Sequence, residues 1–442
     1  MNFKDLNINR SLLSALEEMG LGIPTPIQYK CFPVAMSGKD VVGIAQTGTG
    51  KTIAYLLPCL RLWSYSKEKH PSILVVVPTR ELVVQVAETA EKLAAYMNVT
   101  VKGVYGGANI NTQALMLRDG VDVLVATPGR LLDLALNGAI KLKYVRRFVI
   151  DEVDEMLDLG FRPQLERVMD LLPSGRQNLM FSATMTDDVN AIIDDFFSHP
   201  TTVEAAPAGT ALENISQYAY EVPNFNTKAN LLKLLLEQHP EMSKVLVFTE
   251  SKKLADRLFD IVSPAFDGKT GVIHSNKAQN NRFATVEHFK NGDYRLLIAT
   301  DIIARGLDIS EVSHVINFDL PEDAETYIHR IGRTGRADKK GNAIAFITEK
   351  EKEVQTDIEA LMSKRISVID LPENLEISDV LIEEEKPQVK MKNILVKITK
   401  KESDGAAFHE RSAKRQKVNV RTTRKSEMQK KYGKPQKRRP KK

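Results

Sequence analysis

Two stretches of the chain carry residues spaced for phosphate chemistry. The first is AQTGTGKT, residues 45–52, a glycine-rich turn lying between an apolar run and the apolar helical pattern IAYLLPCLRLW. Glycines let backbone N–H groups curl around phosphate oxygens, and the helix start adds its partial positive charge. Ala45, Gln46, Thr47, Gly48, Thr49 and Gly50 would form that cradle, while Lys51 reaches the outer phosphates and the Thr52 hydroxyl is offered to Mg²⁺. Ala45 stands where such loops usually begin with glycine, and a glycine-rich turn without a ligand is the plain alternative. The second stretch is VIDEVDEMLD, residues 149–158, which sets five acids in ten positions behind a β-branched pair. At the end of a buried strand, Asp151 is placed to hold a phosphate-bound Mg²⁺ through water, and Glu152 to polarise an attacking water. Glu155 and Asp158 fall in the following helix, where acids near the N-terminus complement the dipole and need no further role. A protease-recognised tag is the weaker reading, because a strand end packed on a phosphate loop is not an exposed flexible loop.

A third stretch, HRIGRTGR at 329–336, spaces Arg330, Arg333 and Arg336 three apart. On one side of a helical turn they would clamp phosphate charge in transfer. A whole domain separates them from residue 51, so Arg333 and Arg336 act only if two domains close on one nucleotide. Arginine fingers are worth roughly 10³ to 10⁵ in rate, which would make closure the switch for hydrolysis.

The elements that must position these residues are legible as short apolar runs, each followed by a helical pattern. DVVGIAQ (40–46), SILVVVP (72–78), VDVLVAT (121–127), RFVIDE (147–152) and NLMFSAT (178–184) make one series. KVLVFTE (244–250), TGVIHS (270–275), RLLIAT (295–300), HVINFD (314–319) and NAIAFIT (342–348) make another. Such runs read as strands buried on both faces, and the intervening helices imply parallel crossovers. Two doubly wound α/β domains are expected: residues 1–207 and 218–365, joined by a linker at 208–217 at the end of the Pro-, Ala- and Thr-rich stretch HPTTVEAAPAGTALENI (199–215). Ligands in such sheets bind at the carboxyl ends of the strands, where the chemistry-bearing stretches fall.

Composition fits that layout. At 442 residues with 43% hydrophobic content the chain exceeds one ordinary core. It has no run of 18 apolar residues, and MNFKDLNINR lacks a signal-peptide layout, so a cytoplasmic protein without membrane attachment is expected. Cys31 and Cys59 are the only cysteines and form no CxxC, which points to buried thiols rather than a zinc site or disulfide framework. Charge is unevenly spread: residues 401–442 hold 16 Lys or Arg against 4 Asp or Glu, while 1–400 hold 46 against 53. The tail has too few apolar residues to offset the entropy of ordering and is expected to be disordered, serving as an electrostatic nucleic-acid tether. KRRPKK also resembles a nuclear-localisation signal, which keeps a nucleolar protein open. Residues 366–400 form a C-terminal extension with no assignable chemistry.

Together with PTPIQ (24–28), PTRELVVQ (78–85), GG (106–107), TPGR (127–130), SAT (182–184), VLVFTES (245–251) and ATDIIARGLD (299–308), these motifs run in order across residues 3 to 350 and resemble the DEAD-box ATP-dependent RNA helicases. The short N-terminal lead and brief tail are similar to compact bacterial members tied to ribosome assembly or RNA decay. The resemblance implies two RecA-like domains, ATP and Mg²⁺ in the cleft between them, single-stranded RNA across both, and a monomer. Gln28 would read the adenine edge, with Phe3 and Leu21 packing near the base, and Asp308 would touch the ribose. Asp154, Ser182, Thr184 and His329 would couple the nucleotide site to RNA. RNA contacts carried over by motif are Pro78, Thr79, Arg80, Gly106, Gly107, Thr127, Gly129 and Arg130 in the first domain. In the second they are Gln279, Arg282, Thr300, Asp301 and Arg305. Glycine amides, hydroxyls and arginines suit phosphate and sugar rather than base edges, so little sequence preference is expected. Short duplexes would be separated locally or ribonucleoproteins remodelled; an ATP-gated RNA clamp is the rival, and a DNA helicase or a small-molecule kinase fits the motifs less well. Val153 and Val83 each stand where the family pattern has Ala, and overpacking there would cost about 1 to 3 kcal/mol unless neighbours make room.

Overall fold

The computed structural model describes residues 2–46, 48–204, 214–301, 312–335 and 340–386. Thr47, Arg305, Asp308, Arg336, most of the expected linker and everything from 387 onward, including the basic tail, lie outside the described residues.

The apolar runs become strands because β-branched residues fit a pleated surface covered on both sides. In the first domain these are β1 (Val41–Ile44), β2 (Ile73–Val76), β3 (Val101–Val104), β4 (Val123–Ala126), β5 (Arg147–Ile150), β6 (Gln177–Ser182) and β7 (Thr201–Glu204), ordered β3-β4-β2-β5-β6-β1-β7. The second holds β8 (Ile215–Glu221), β9 (Val245–Phe248), β10 (Thr270–Ile273), β11 (Leu296–Ala299), β12 (His314–Asn317), β13 (Gly341–Ile347) and β14 (Ser367–Ile369), ordered β10-β11-β9-β12-β13-β8-β14. The second order is the first shifted by seven, and all pairings among the described strands are parallel. Successive β2 side chains feed opposite layers: Ile73 and Val75 join the core on one face, Leu74 and Val76 the core on the other. Val245 and Val247 of β9 alternate with Leu246 and Phe248 in the same way.

This order sorts function along each sheet. β5, β6 and β1 are neighbours, so the ends carrying Asp151, Ser182 and the glycine-rich turn stand side by side. β3, β4 and β2 form the other half, and their ends lead into Gly106, Thr127 and Thr79. Both sheets belong to one compact unit that ends at Lys386.

One expectation shifts. Residues 215–217 are not linker: Ile215 and Gln217 are buried on either side of exposed Ser216 and pair with Gly341 and Ala343 as the start of β8. Residues 366–386 of the expected C-terminal extension are tied to the second domain: β14 pairs with β8, and Leu371, Leu375 and Ile382 pack on its core. The Val83 question has a local answer. A Cβ at Gly103 on β3 would lie 2.9 Å from Val83 Cγ1, so this glycine leaves the space that the valine fills. Val153 is fully buried within the apolar layer containing Ile150 and Met180. Among the described residues no helix is long and apolar enough to cross a membrane.

Candidate functional site

After β1 the chain turns through Ala45, whose N–H donates to the Ser182 carbonyl at 3.0 Å, tying the loop to β6. Thr49 Oγ1 donates to the Gln46 carbonyl at 2.7 Å, and Gly48 and Gly50 have φ of 81° and 87°. Gly50 is required twice over: its left-handed backbone opens the Lys51–Arg61 helix, and a Cβ there would overlap the Gln28 amide. Gln28 sits in the first turn of the Pro26–Met36 helix, accepting from Thr25 N at 2.9 Å and donating to the Gly50 carbonyl at 3.1 Å. One N–H and one lone pair of its amide remain for a base edge. Phe3 is only 2% exposed within the first domain's core, so its ring supports the site from inside and offers no open face. Leu21 is half-buried against the same core.

The Lys51 ammonium is buried with no hydrogen-bond acceptor among the described residues; Asp151 Oδ1 stands 4.0 Å away. Burial alone pulls its pKa down, but Asp151, Glu152, Asp154 and Glu155 outweigh that and hold it above the ordinary lysine value. Such an orphaned buried cation, beside Asp151 and the half-buried Thr52 at a helix start, fits a phosphate chain with its Mg²⁺. Asp151 is oriented from both sides: Tyr55 Oη donates to its Oδ2 at 3.0 Å, and Glu152 N donates to its Oδ1 at 3.0 Å. Glu152 has φ 54° and ψ 50°, a left-handed conformation uncommon outside glycine, costing of order 1–3 kcal/mol. Burial first, then the charge of Glu155, pushes Glu152 well above the ordinary carboxylate range, while Arg333 from the second domain pulls the other way. Glu152 Oε2 is buried without a hydrogen-bond partner among the described residues.

Glu155 lies in the first turn of the following helix, as expected from sequence, but does more than complement its dipole. It is 2% exposed and raises the pKa of Glu152, since the short Val153–Asp158 helix turns it inward. Asp154 Oδ2 accepts from Ala183 N, Thr184 N and Thr184 Oγ1 at 3.0, 3.0 and 3.1 Å, while Ser182 Oγ donates to the Thr184 carbonyl at 2.6 Å. Burial raises the Asp154 pKa, but Lys51, His329 and these hydrogen bonds bring it below the ordinary aspartate value. His329 is thus within electrostatic reach of Asp154 across the domain boundary.

Arg330 and Arg333 do not share one helical face. The helix Ala324–Ile331 stops at Gly332, so Arg330 belongs to it and Arg333 lies beyond its end. Arg330 is fully engaged: Nε and Nη2 donate to the Asp301 carboxylate at 2.6 and 2.8 Å, and Nη1 to Asn317 Oδ1 at 3.0 Å and the Asp319 carbonyl at 2.6 Å. Its guanidinium also lies over the Phe248 ring, 5.0 Å from the centroid. It is an internal brace, and Asp301, expected on RNA, is its partner; Thr300 is buried beside it.

On the other half of the sheets a cavity of about 580 Å³ is lined by Pro78, Thr79, Arg80, Gly106, Gly107, Thr127, Gly129 and Arg130, with Gln279 and Arg282 from the second domain. Thr79 Oγ1 caps the Arg80–Leu93 helix through Leu82 N, and Gly106 N donates to Thr127 Oγ1 at 3.3 Å. Arg130 is held by Gln113 Oε1 at 2.7 Å and the Ala108 carbonyl at 2.9 Å. Across the cavity Arg80 Nη1 donates to Gln279 Oε1 at 3.2 Å, Gln279 Nε2 donates to Glu81 Oε1 at 3.1 Å, and Arg282 pairs with the same Glu81 oxygen at 3.1 Å. Sequence reasoning passed over Glu81, Tyr55, Gln113 and Lys277. Glu81 reads as an ordinary helix-start acid, and only its partner 201 residues away reveals it as a cross-domain clasp.

Residues 25–192 match the DEAD/DEAH box helicase family model, and residues 227–338 match the helicase conserved C-terminal domain. The DEAD-box ATP-dependent RNA helicase CshA of Bacillus cereus is 38% identical over 93% of this chain and 76% of its own length. RhpA, a DEAD-box ATP-dependent RNA helicase of Helicobacter pylori, is also 38% identical, over 84% of this chain and 74% of its own. Among solved structures, S. cerevisiae Dbp5 bound to RNA and ADP BeF3 superposes with a TM-score of 0.75 at 28% identity, covering 84% of this chain and 95% of that one. Mss116p bound to ssRNA and AMP-PNP gives 0.76 at 26%, covering 84% and 80%.

Proposed function

The chain belongs to the DEAD-box family of ATP-dependent RNA helicases, two tandem RecA-like domains, and from that premise we propose how its residues divide the work. The observation that carries the proposal is the buried Lys51 ammonium, without an acceptor among the described residues, beside Asp151 and Glu152, with Glu152 in turn within the field of Arg333 from the second domain. The loop amides and Lys51 bind the β- and γ-phosphates of ATP, and Gln28 orients the adenine with its remaining N–H and lone pair. Thr52 and Asp151 would hold Mg²⁺, which when bound neutralises charge on the phosphate oxygens. Glu152 Oε2 takes the proton of the attacking water, a role suited to a carboxylate whose pKa is raised by burial. Arg333 meets the charge that develops on the γ-phosphate, and only in the closed arrangement. Asp154 passes the state of that site to the Ser182–Thr184 segment and to His329.

RNA lies in the cavity bounded by Arg80, Arg130 and the two glycines, gripped through phosphate and sugar. Hydrolysis is then stimulated by RNA, because RNA and ATP both favour the closed arrangement. A Glu152→Gln variant should lose RNA-stimulated ATPase by orders of magnitude; full retention would overturn the assignment. The Glu81 clasp gives some weight to the clamp reading, in which closure grips RNA without useful unwinding. A duplex-release assay beside the ATPase assay separates the two. Ribosome assembly and RNA decay, the two pathways this reading suggests, would be told apart by RNA crosslinked to the protein in its own cell.

A further inference from the structure

The guanidinium groups facing the cavity are already engaged: Arg80 with Gln279, Arg130 with Gln113 and the Ala108 carbonyl, and Arg282 with Glu81. Among the described residues one further cation lines it, Lys277, which no motif assigns. It sits on the turn that links β10 to the helix Gln279–Asn291, its N–H donating to the His274 carbonyl at 3.0 Å. Its ammonium lies 2.8 Å from Asp256 Oδ1, and His274 Nε2 lies 2.9 Å from the same oxygen. His274 is 2% exposed, so Asp256 is fixed from beneath and in turn fixes Lys277 at the rim. An ammonium has three donors and this contact occupies one, which leaves two for an anion in the cavity.

We propose that Lys277 is a further RNA contact, bonding one backbone phosphate of the bound strand, with Asp256 as its positioning residue. The proposal rests on the reading that this cavity holds RNA. A phosphate contact carries no base information, so Lys277 adds affinity equally for all sequences and releases a counterion on binding. For single strands the slope of log Kobs against log salt changes by about 0.7 per phosphate neutralised.

The test measures binding of a short oligouridylate to the full chain, with a non-hydrolysable ATP analogue and Mg²⁺, across a salt series; thermal unfolding confirms that each variant is folded. Lys277→Met should weaken binding about tenfold, the worth of one charged hydrogen bond, and flatten the slope by about 0.7. Lys277→Arg should restore both. Adding Asp256→Asn to Lys277→Met returns the net charge to that of the original protein. A direct contact predicts that the slope stays flattened in this double variant, whereas recovery would reduce Lys277 to a general charge effect and overturn the proposal. An unchanged slope in Lys277→Met alone would also overturn it, while leaving the RNA reading intact. Failure of the unsubstituted protein to bind the oligonucleotide would instead remove the RNA reading itself.

Discussion

Replacing Glu81 by alanine sets two physical effects against each other. Simple electrostatics says that removing an acid from a cavity built for an anion should tighten RNA binding. The geometry says otherwise. Glu81 Oε1 accepts from Gln279 and forms an ion pair with Arg282, the side chains of Glu81 and Arg282 being 5% and 7% exposed. Without it the buried Arg282 guanidinium loses its counter-charge and keeps its hydrogen bond to Gln279 Oε1, and breaking one side of a buried pair costs about 3 to 5 kcal/mol. The domains can escape that penalty only by separating and letting water in. Taking the lower bound, the closed arrangement loses about 3 kcal/mol, a factor of about 10² in population, and the apparent affinity for RNA falls with it. Glu81→Gln keeps an acceptor and should lose less. Closure can be followed by fluorescence transfer between dyes on Glu91→Cys and Glu287→Cys, both exposed positions on different domains. The native Cys31 and Cys59 are buried, so they need not be removed for selective labelling. With ATP analogue and single-stranded RNA present, the high-transfer population should collapse in Glu81→Ala. Unchanged transfer together with tighter RNA binding would refute the clasp.

Tyr55→Phe deletes the hydroxyl that orients Asp151, and a hydrogen bond to a charged group is worth about 1.5–3 kcal/mol; kcat should drop by about tenfold or more while the KM for ATP moves little, as read by steady-state ATPase. Gly103→Ala forces a Cβ to within 2.9 Å of Val83 Cγ1 and should destabilise the chain by about 1 to 3 kcal/mol in denaturant unfolding, with Val83→Ala restoring most of it in a double-mutant cycle. The acid limb of kcat/KM should lie above pH 4.5, the ordinary glutamate value, because Glu152 must be deprotonated to accept a proton and its pKa is raised; activity is lost as pH falls through that raised value, and Glu155→Gln should move the limb to lower pH. Removing residues 401–442, with their 16 basic side chains, should weaken RNA binding and flatten its salt dependence in the same salt-series binding measurement that serves Lys277.

The sequence was most readable where burial on both faces forces an unbroken apolar run. Ile73–Val76 and Leu296–Ala299 announce themselves in this way. Strands β3, β7, β8 and β14 do not. β3, β7 and β14 are short and partly or wholly exposed, and β8 buries Gln217, whose Oε1 accepts from the Tyr327 hydroxyl at 3.0 Å, a partner 110 residues away. Motif residues were found because their chemistry needs fixed types at fixed spacing. Their neighbours were not, because Glu81, Tyr55 and Lys277 take meaning only from partners brought near by the fold. Arg330 misled for a related reason: a spacing of three suggests one helical side, but Gly332 ends the helix between it and Arg333.

The backbone at Glu152 has a consequence for how the chain tolerates change. A left-handed conformation is comfortable for glycine, and asparagine enters it more readily than glutamate does. A library screened for abundance should therefore enrich glycine and asparagine at this position, while the same library screened for helicase activity retains only the carboxylate. Position 152 is then a place where selection for folding and selection for work pull in opposite directions, and a sequence optimised for expression alone would drift toward an inert, sturdier protein.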